Sequence, residues 1–349
     1  MTLKFHFFTR DTMPDAAVLR SAAHANRMLA EQLPDDPPYD AADELRRWHA
    51  MPSQARSQVW IAEANGNVVA EANLNWEELE SNRALAHVYV SVERDWRGQG
   101  LGATLLSLAV ERAIEAGRPK LMSMSTSRVP AGGRFLDRVG FTRRLEMHTN
   151  QLKVADLDRA LVDAWSRPDP ARTGDYAIEV FDGPVPDHRL EAYAELVGVM
   201  NTAPRGTLEV EDTKITASMV REWEASLVAS GWRRLLAVTR HVPSGVLAGF
   251  TELRWTPTRA SLVWQGGTGV VPSHRNRGLG RWLKAQNLAA LLSANDKVRF
   301  VRTGNADSNA PMLAINHQLG FRPFTARALW QGNAAEVSGQ LARQRRQAA

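Results

Sequence analysis

Two short segments carry residue types that suit a bound anion. They are Arg97-Gly98-Gln99-Gly100-Leu101-Gly102 and Arg275-Asn276-Arg277-Gly278-Leu279-Gly280, followed by Arg281. Each follows an apolar, strand-like run, and each leads at once into residues with helical apolar spacing. Loop glycines adopt positive φ and let backbone N–H groups approach a bound group closely. The first turn of a helix adds unpaired donors and the positive end of a dipole. Arg97 and Arg275 add formal charge and forked donors that match phosphate oxygens. Together these features suit a pyrophosphate. No Gly-Lys-Ser/Thr follows either loop, so the ATP-type loop does not fit. The dinucleotide loop fits poorly, because neither strand opens a βαβ unit with an acidic residue at the required distance. A single copy is equally well read as a tight turn rich in glycine for steric reasons. Two copies in one register point to an internal duplication.

The elements that must position these loops repeat in order. In the first half, residues 59–64 and 68–74 read as strands joined by the hairpin turn Asn65-Gly66. Residues 84–92 form the strand entering the loop, and 101–116 the helix after it, closed near Gly117. A strand over 121–125 and a short helix ending at Gly140-Phe141 follow. In the second half, a strand over 176–181 precedes helices over 188–200 and 215–229. Strands over 234–238 and 246–253 flank Pro243-Ser244-Gly245. A strand over 261–271 enters the second loop, then come a helix over 279–292, a strand over 298–302 and a helix ending at Gly320-Phe321. Residues 14–50 read as helical, interrupted at residues 34–38. Residues 1–8 read as a first strand rather than a signal peptide. A helix over about 155–166 and a Pro/Gly/Asp-rich linker over 167–175 separate the halves. The fold class expected is α/β with a mixed α+β sheet, built twice: one domain over 1–154, helix and linker over 155–175, and a second domain over 176–349.

Composition agrees with that division. A chain of 349 residues is long for one core and natural for two. At 44% apolar and 23% charged it has an ordinary globular composition. Its apolar runs fall far short of the roughly 20 residues a membrane span needs, so no membrane association is expected. The net charge of +5 admits acidic ligands. The arginines are scattered among acids, however, and only residues 343–346 form a basic run, so nucleic acid is not an expected partner. There is no cysteine, which removes disulfides, thiolate nucleophiles and Cys-based metal sites. The expectation is a reducing, cytoplasmic setting, no metal, and a monomer or homodimer.

Arg97-x-x-Gly100-x-Gly102 and Arg275-x-x-Gly278-x-Gly280 resemble the acyl-CoA loop, Gln/Arg-x-x-Gly-x-Gly/Ala, of the GCN5-related N-acetyltransferases (GNAT). Val270-Val271-Pro272 resembles the Val-x-Pro that often ends the family's preceding strand. Asn309-x-x-Met312-x-x-x-Asn316-x-x-x-Gly320-Phe321 resembles its late Asn-x-x-Ala-x-x-x-Tyr-x-x-x-Gly-Phe helix. The resemblance covers nearly the whole chain as two tandem copies, the tandem type of mycothiol synthase-like bacterial acetyltransferases. It implies a sheet opened between its fourth and fifth strands, with acetyl-CoA in the opening. The pantetheine arm would lie along Val90 and Val92 in one copy and Val270 and Val271 in the other. It also implies that Asn309 and the residues of both loops bind the co-substrate. The implied reaction is direct attack of an amine on the thioester, with a fourth-strand N–H stabilising the oxyanion. Such a donor contributes ~3 kcal/mol. The acceptor expected is a small-molecule amine. A protein amine and a non-catalytic acyl-CoA-binding or sensing role are the alternatives.

The family's usual acid, a tyrosine on the late helix, is missing. Asn316 stands at its place in the second half and Leu136 in the first. Asn316 donates a hydrogen bond but does not readily supply a proton. The adjacent His317 is turned about 100° away on a helix. Glu252, on the strand before the loop-bearing strand, is the candidate base; the alternative is a glutamate on a solvated strand face. His87 is the nearest equivalent in the first half, with a packed or exposed strand histidine as its alternative. Trp255 and Trp264 stand on strands near the expected acceptor cleft. The second half retains more of the motif set and is the expected catalyst, and the first reads as a structural or ligand-holding relic.

Overall fold

The central strands are buried over consecutive residues, as strands covered on both faces must be, and each unit contains six strands in mixed orientation. The computed structural model describes residues 3–348, so Met1 and Thr2 of the expected first strand lie outside the described residues. In the first unit the strands run in the order β1 (Lys4–Thr9), β2 (Ala55–Ala64), β3 (Asn67–Glu77), β4 (Leu85–Val92), β5 (Lys120–Thr126) and β12 (Arg322–Asn333). β1 to β4 pair antiparallel in succession, and β4 pairs parallel with β5. Asn65 and Gly66 both take positive φ, 51° and 78°, as a two-residue hairpin turn of this hand requires. The helices are α1 (Asp15–Gln32), α2 (Ala41–His49), α3 (Leu101–Glu115), α4 (Pro130–Arg138) and α11 (Ala334–Ala348). The buried stripe of α3, Leu105, Leu106, Ala109 and Val110, covers Ala72, Leu74, Ala86 and Val88 of the sheet.

The second unit repeats the plan. Its strands run β6 (Thr142–Lys153), β11 (Phe300–Ala306), β10 (Leu262–Val270), β9 (Leu247–Trp255), β8 (Arg233–His241) and β7 (Tyr176–Asp182). Its helices are α5 (Arg159–Ser166), α6 (Pro170–Thr173), α7 (Leu190–Val197), α8 (Ala217–Ala229), α9 (Leu279–Ala294) and α10 (Ala310–Gln318). On one face α9 packs Leu288 and Leu291 onto Leu235, Leu253, Val263 and Val301. On the other, Tyr193, Leu196 and Val220 of α7 and α8 cover Leu236, Val238 and Phe250.

The compact units differ from the division expected at 154 and 176. One comprises Met1–Glu146, Gly206–Glu211 and Ala326–Ala349, the other Met147–Arg205 and Asp212–Thr325. The reason lies in the last strands. Met147–Lys153 of β6 pairs antiparallel with β11, and Arg327–Asn333 of β12 pairs antiparallel with β5. Each fifth strand needs its open edge covered, and the two halves exchange the strands that do so. The Pro-rich stretch after α5 is correspondingly no free linker. It contains α6, and the Ser166 carbonyl just before it accepts from Trp282 Nε1 (3.0 Å) and Gln286 Nε2 (2.6 Å) of α9.

A buried ion pair ties α8 to β8. The Glu224 carboxylate accepts from Arg234, from Arg221 Nη1 (2.6 Å) and from the Val185 amide (2.9 Å). Glu224 is 3% exposed and the Arg234 side chain 8%. Glu224→Ala leaves the Arg234 charge buried without its partner. It is expected to destabilise the fold by about 3–5 kcal/mol, read as a lowered urea midpoint.

Candidate functional site

The two Arg/Gly loops have one backbone design. Gly98 and Gly100 take φ of 80° and 82°, and the matching Asn276 and Gly278 take 62° and 84°. Gly100 and Gly278 are the N-cap residues of α3 and α9, and neither helix start has a side-chain cap. The first-turn N–H groups therefore have no side-chain acceptor to satisfy them. In each copy the arginine Nε donates to the carbonyl at the end of the preceding strand: Arg97 to Val92, Arg275 to Val270, both at 2.9 Å. Leu101 and Leu279 anchor the helices in the cores.

The sheet is open beside each loop. β4 pairs with β5 only over Leu85–His87, and β10 pairs with β11 only over Leu262–Gln265. Past those points the strands part. In the second unit the opening is a cavity of about 840 Å³, lined by residues 265–270 of β10, residues 303–306 of β11, the loop through Arg281, residues 199, 200 and 202–204, Asn309 at the N-cap of α10, and Met312 and Ile315 within that helix. Its volume falls in the range of small-molecule and cofactor sites. Arg172, Arg275, Arg281 and Lys284 line it and no carboxylate does, so the walls favour a polyanion.

The glycines ahead of the second loop are packing requirements. A Cβ on Gly266 would meet the Glu252 carboxylate at 2.3 Å, and one on Gly269 would meet Val199 Cγ1 at 2.4 Å. A register shift between Gln265 and Thr268 marks a bulge. Glu252 thus lies against the wall of the opening, with Arg254 Nη2 at 3.6 Å from its Oε1. Phe250 and Glu252 share a face of β9. The Phe250 ring meets Tyr193 of α7 edge-on at 5.9 Å, and burial with the Glu252 charge nearby pushes the Tyr193 hydroxyl well above its usual range.

The two loops differ in charge. The Arg97 guanidinium holds Glu31 of α1 through both terminal nitrogens, at 2.8 and 2.6 Å. These hydrogen bonds hold the Glu31 carboxyl below its ordinary range, against the opposing effect of burial. Arg275 Nη2 instead donates to the neutral Thr202 Oγ1 at 2.8 Å. The expected forked donor of the first loop is therefore already engaged by an internal anion, and that of the second is not. Gln99 is likewise turned onto the Asp95 carbonyl.

Residues 55–143, within the first unit, match the family model for the acetyltransferase (GNAT) domain. Along nearly its full length the chain is similar to a tandem GNAT protein from the clavulanic acid biosynthesis pathway, solved without AcCoA. The TM-score is 0.77 at 24% identity, over 95% of this chain and 99% of that one. The chain has the tandem GNAT fold. A GCN5-related N-acetyltransferase from Sphaerobacter thermophilus matches at TM-score 0.64 and 18% identity, over 94% and 96% of the two chains. A glucosamine N-acetyltransferase region in a fungal multi-domain GH3 β-N-acetylglucosaminidase matches at TM-score 0.62 and 14% identity, with 95% of this chain covering 38% of that one. No curated protein matches the sequence. Among the described residues no helix is long and apolar enough to cross a membrane.

Within this fold, the expected residues fall into three sets. Val270, Arg275, Asn276, Gly278, Leu279, Gly280, Arg281 and Asn309 converge on the cavity. Val271 and Arg277 flank it. Val90 and Val92 hold the matching strand position in the first unit, against its core. Asn316 is fully buried behind the wall, with its Nδ2 on Asn305 Oδ1 at 2.8 Å, so it reaches the opening through Asn305. Leu136 is buried in the first core, and His317 is exposed. His87 stacks on Tyr89, and burial pushes its imidazole below its usual range. Trp255 lies in the core under Arg233 and lines no part of the cavity, and neither does Trp264. Sequence reasoning missed Lys284, Gln265, Arg172 and Asn305. The glycine cluster at 266, 267 and 269 was the available signal, since glycine inside a strand marks a bulge or a close approach.

Proposed function

We propose that the chain is an acyl-CoA-dependent N-acetyltransferase whose second unit acts on the primary amine of a small molecule. The observation that carries this reading is the carboxylate-free cavity in the opened sheet, floored by the uncapped start of α9. The residues fit acetyl-CoA: the loop N–H groups, Arg275 and Arg281 for its pyrophosphate, and Val270 with the bulged strand for its pantetheine arm. When bound, it supplies an acyl group activated as a thioester. Glu252 is the base for the amine, from the face of β9 shared with Phe250. Asn316 orients Asn305 rather than meeting the reacting atoms. Its burial without a tyrosine favours the second reading, a non-catalytic acyl-CoA-binding module.

Calorimetry with acetyl-CoA tests the site. The wild-type protein is expected to bind it, Arg275→Glu to lose the binding, and Arg97→Glu to keep it. Equal loss in both variants would place ligand in both loops, and no binding to the wild type would end the acyltransferase reading. Thiol release across a panel of primary amines then separates the two readings. Glu252→Gln is expected to lower kcat about 100-fold or more with acetyl-CoA binding unchanged. Tight binding with no thiol release from any amine supports the non-catalytic module.

A further inference from the structure

Lys284 is a buried lysine with no counter-charge. It is 1% exposed, lies among Leu283, Ala285 and Leu288 on α9, and pairs with no carboxylate among the described residues. Its Nζ sits 5.8 Å from the centre of the Phe321 ring, and the side chain lines the same cavity as the Gly278 loop. The same cavity is lined by the neutral Gln265 of β10, Thr303 and Asn305 of β11 and Ile315 of α10, by His274, and by the cations Arg172 of α6 and Arg275 of the loop, with no carboxylate among them. Arg281, one turn earlier on α9, lies over Trp165, and Arg302 of β11 donates to Gln151. Burial alone pushes the Lys284 ammonium down to about 7 from its usual 10.5. An uncompensated lysine in a cleft wall is costly to the fold, which makes it a functional candidate.

We propose that Lys284 is the proton donor to the leaving thiolate in the second unit, acting from the α9 side of the opened sheet. This rests on the acyl-CoA reading above. Asn316 holds the place of the missing tyrosine, and its Nδ2 is committed to Asn305. Lys284 reaches the same corner from the neighbouring helix: it stacks on Phe321, whose amide donates to the Asn316 carbonyl at 3.0 Å. Glu252 works from the opposite face, since its neighbour Leu253 packs with α9 while Phe250, two residues before it, faces α7. The amine nitrogen attacks the thioester carbonyl carbon. The N–C bond forms, the C–S bond breaks, and its electron pair goes to sulfur. Glu252 takes the amine proton and Lys284 gives its own to the thiolate. Solvent then returns a proton to Lys284 and removes one from Glu252. A thiol ionises at or above the cysteine value near 8.5, so an ammonium near 7 protonates the thiolate downhill.

The test is carbon NMR of protein labelled at lysine Cε, with Lys284→Met assigning the signal. The protein is titrated alone, with CoA, and with desulfo-CoA, which lacks the thiol. The expected result is a Lys284 signal that titrates near pH 7 and responds more to CoA than to desulfo-CoA. A midpoint near pH 10, or equal responses to the two ligands, overturns the proposal. Binding of neither ligand overturns the acyl-CoA reading instead. In acetyl transfer to a responding amine, Lys284→Met and Lys284→Arg are both expected to lower kcat about 100-fold, with KM for acetyl-CoA within about threefold. Acetylation of Lys284 itself, found by mass spectrometry after incubation with acetyl-CoA, would also overturn it, because an amide cannot deliver the proton.

Discussion

Replacing Gly278 with tryptophan is expected to reduce acetyl-CoA binding to the second unit by at least ~100-fold, or ~2.7 kcal/mol. Two effects add. Gly278 has φ of 84°, a left-handed conformation that costs a residue with a Cβ about 1–2 kcal/mol. The indole would also stand at the uncapped start of α9, where the N–H donors converge. Gly278→Ala separates the two. Its Cβ would meet only the flexible Arg281 side chain, at 3.3 Å, so a loss of less than about tenfold is expected from strain alone. Gly100→Trp, at a φ of 82° in the first loop, carries the same strain but lies where Arg97 already holds Glu31. It is expected to leave the titration unchanged. Calorimetry of the three variants checks this, and full retention of binding by Gly278→Trp would remove the loop from the site.

Lys284→Met is expected to stabilise the fold, by an amount that depends on pH. The ammonium ionises near 7 in the folded chain and near 10.5 when unfolded. Below pH 7 both states hold the proton, and the folded state bears the full cost of burying it. Between pH 7 and 10.5 the unfolded chain keeps a proton that the folded chain has lost, so wild-type stability rises with pH through that window. A shift of this size corresponds to a cost on the order of 4 kcal/mol at pH 7 and below. Methionine fills similar space without the charge. The variant should therefore exceed the wild type by that order at pH 6.5, and by clearly less at pH 9, in urea unfolding followed by circular dichroism. A gain that does not shrink between these pH values would mean that Lys284 is not buried as an uncompensated amine.

The repeated strand–loop–helix unit and the anion cradle in it are legible in residue types and spacing alone. Positive φ at Gly98, Gly100 and Gly278, the hairpin at Asn65-Gly66, and the helix stops at Gly140 and Gly320 are set by sterics among a few neighbouring residues, so residue type alone reveals them. Which fifth strand β6 and β12 cover is not legible there, because either open edge would accept either strand and the choice is made by segments far apart in the chain. The same holds for Glu31, which reaches Arg97 from 66 residues away and gives two similar loops different charge. It holds most for Lys284, a residue type found mostly on surfaces, which is 1% exposed on α9 with its Nζ beside the Phe321 ring. Local conformation follows from local sterics, whereas burial and ion pairing depend on which distant element closes over a side chain.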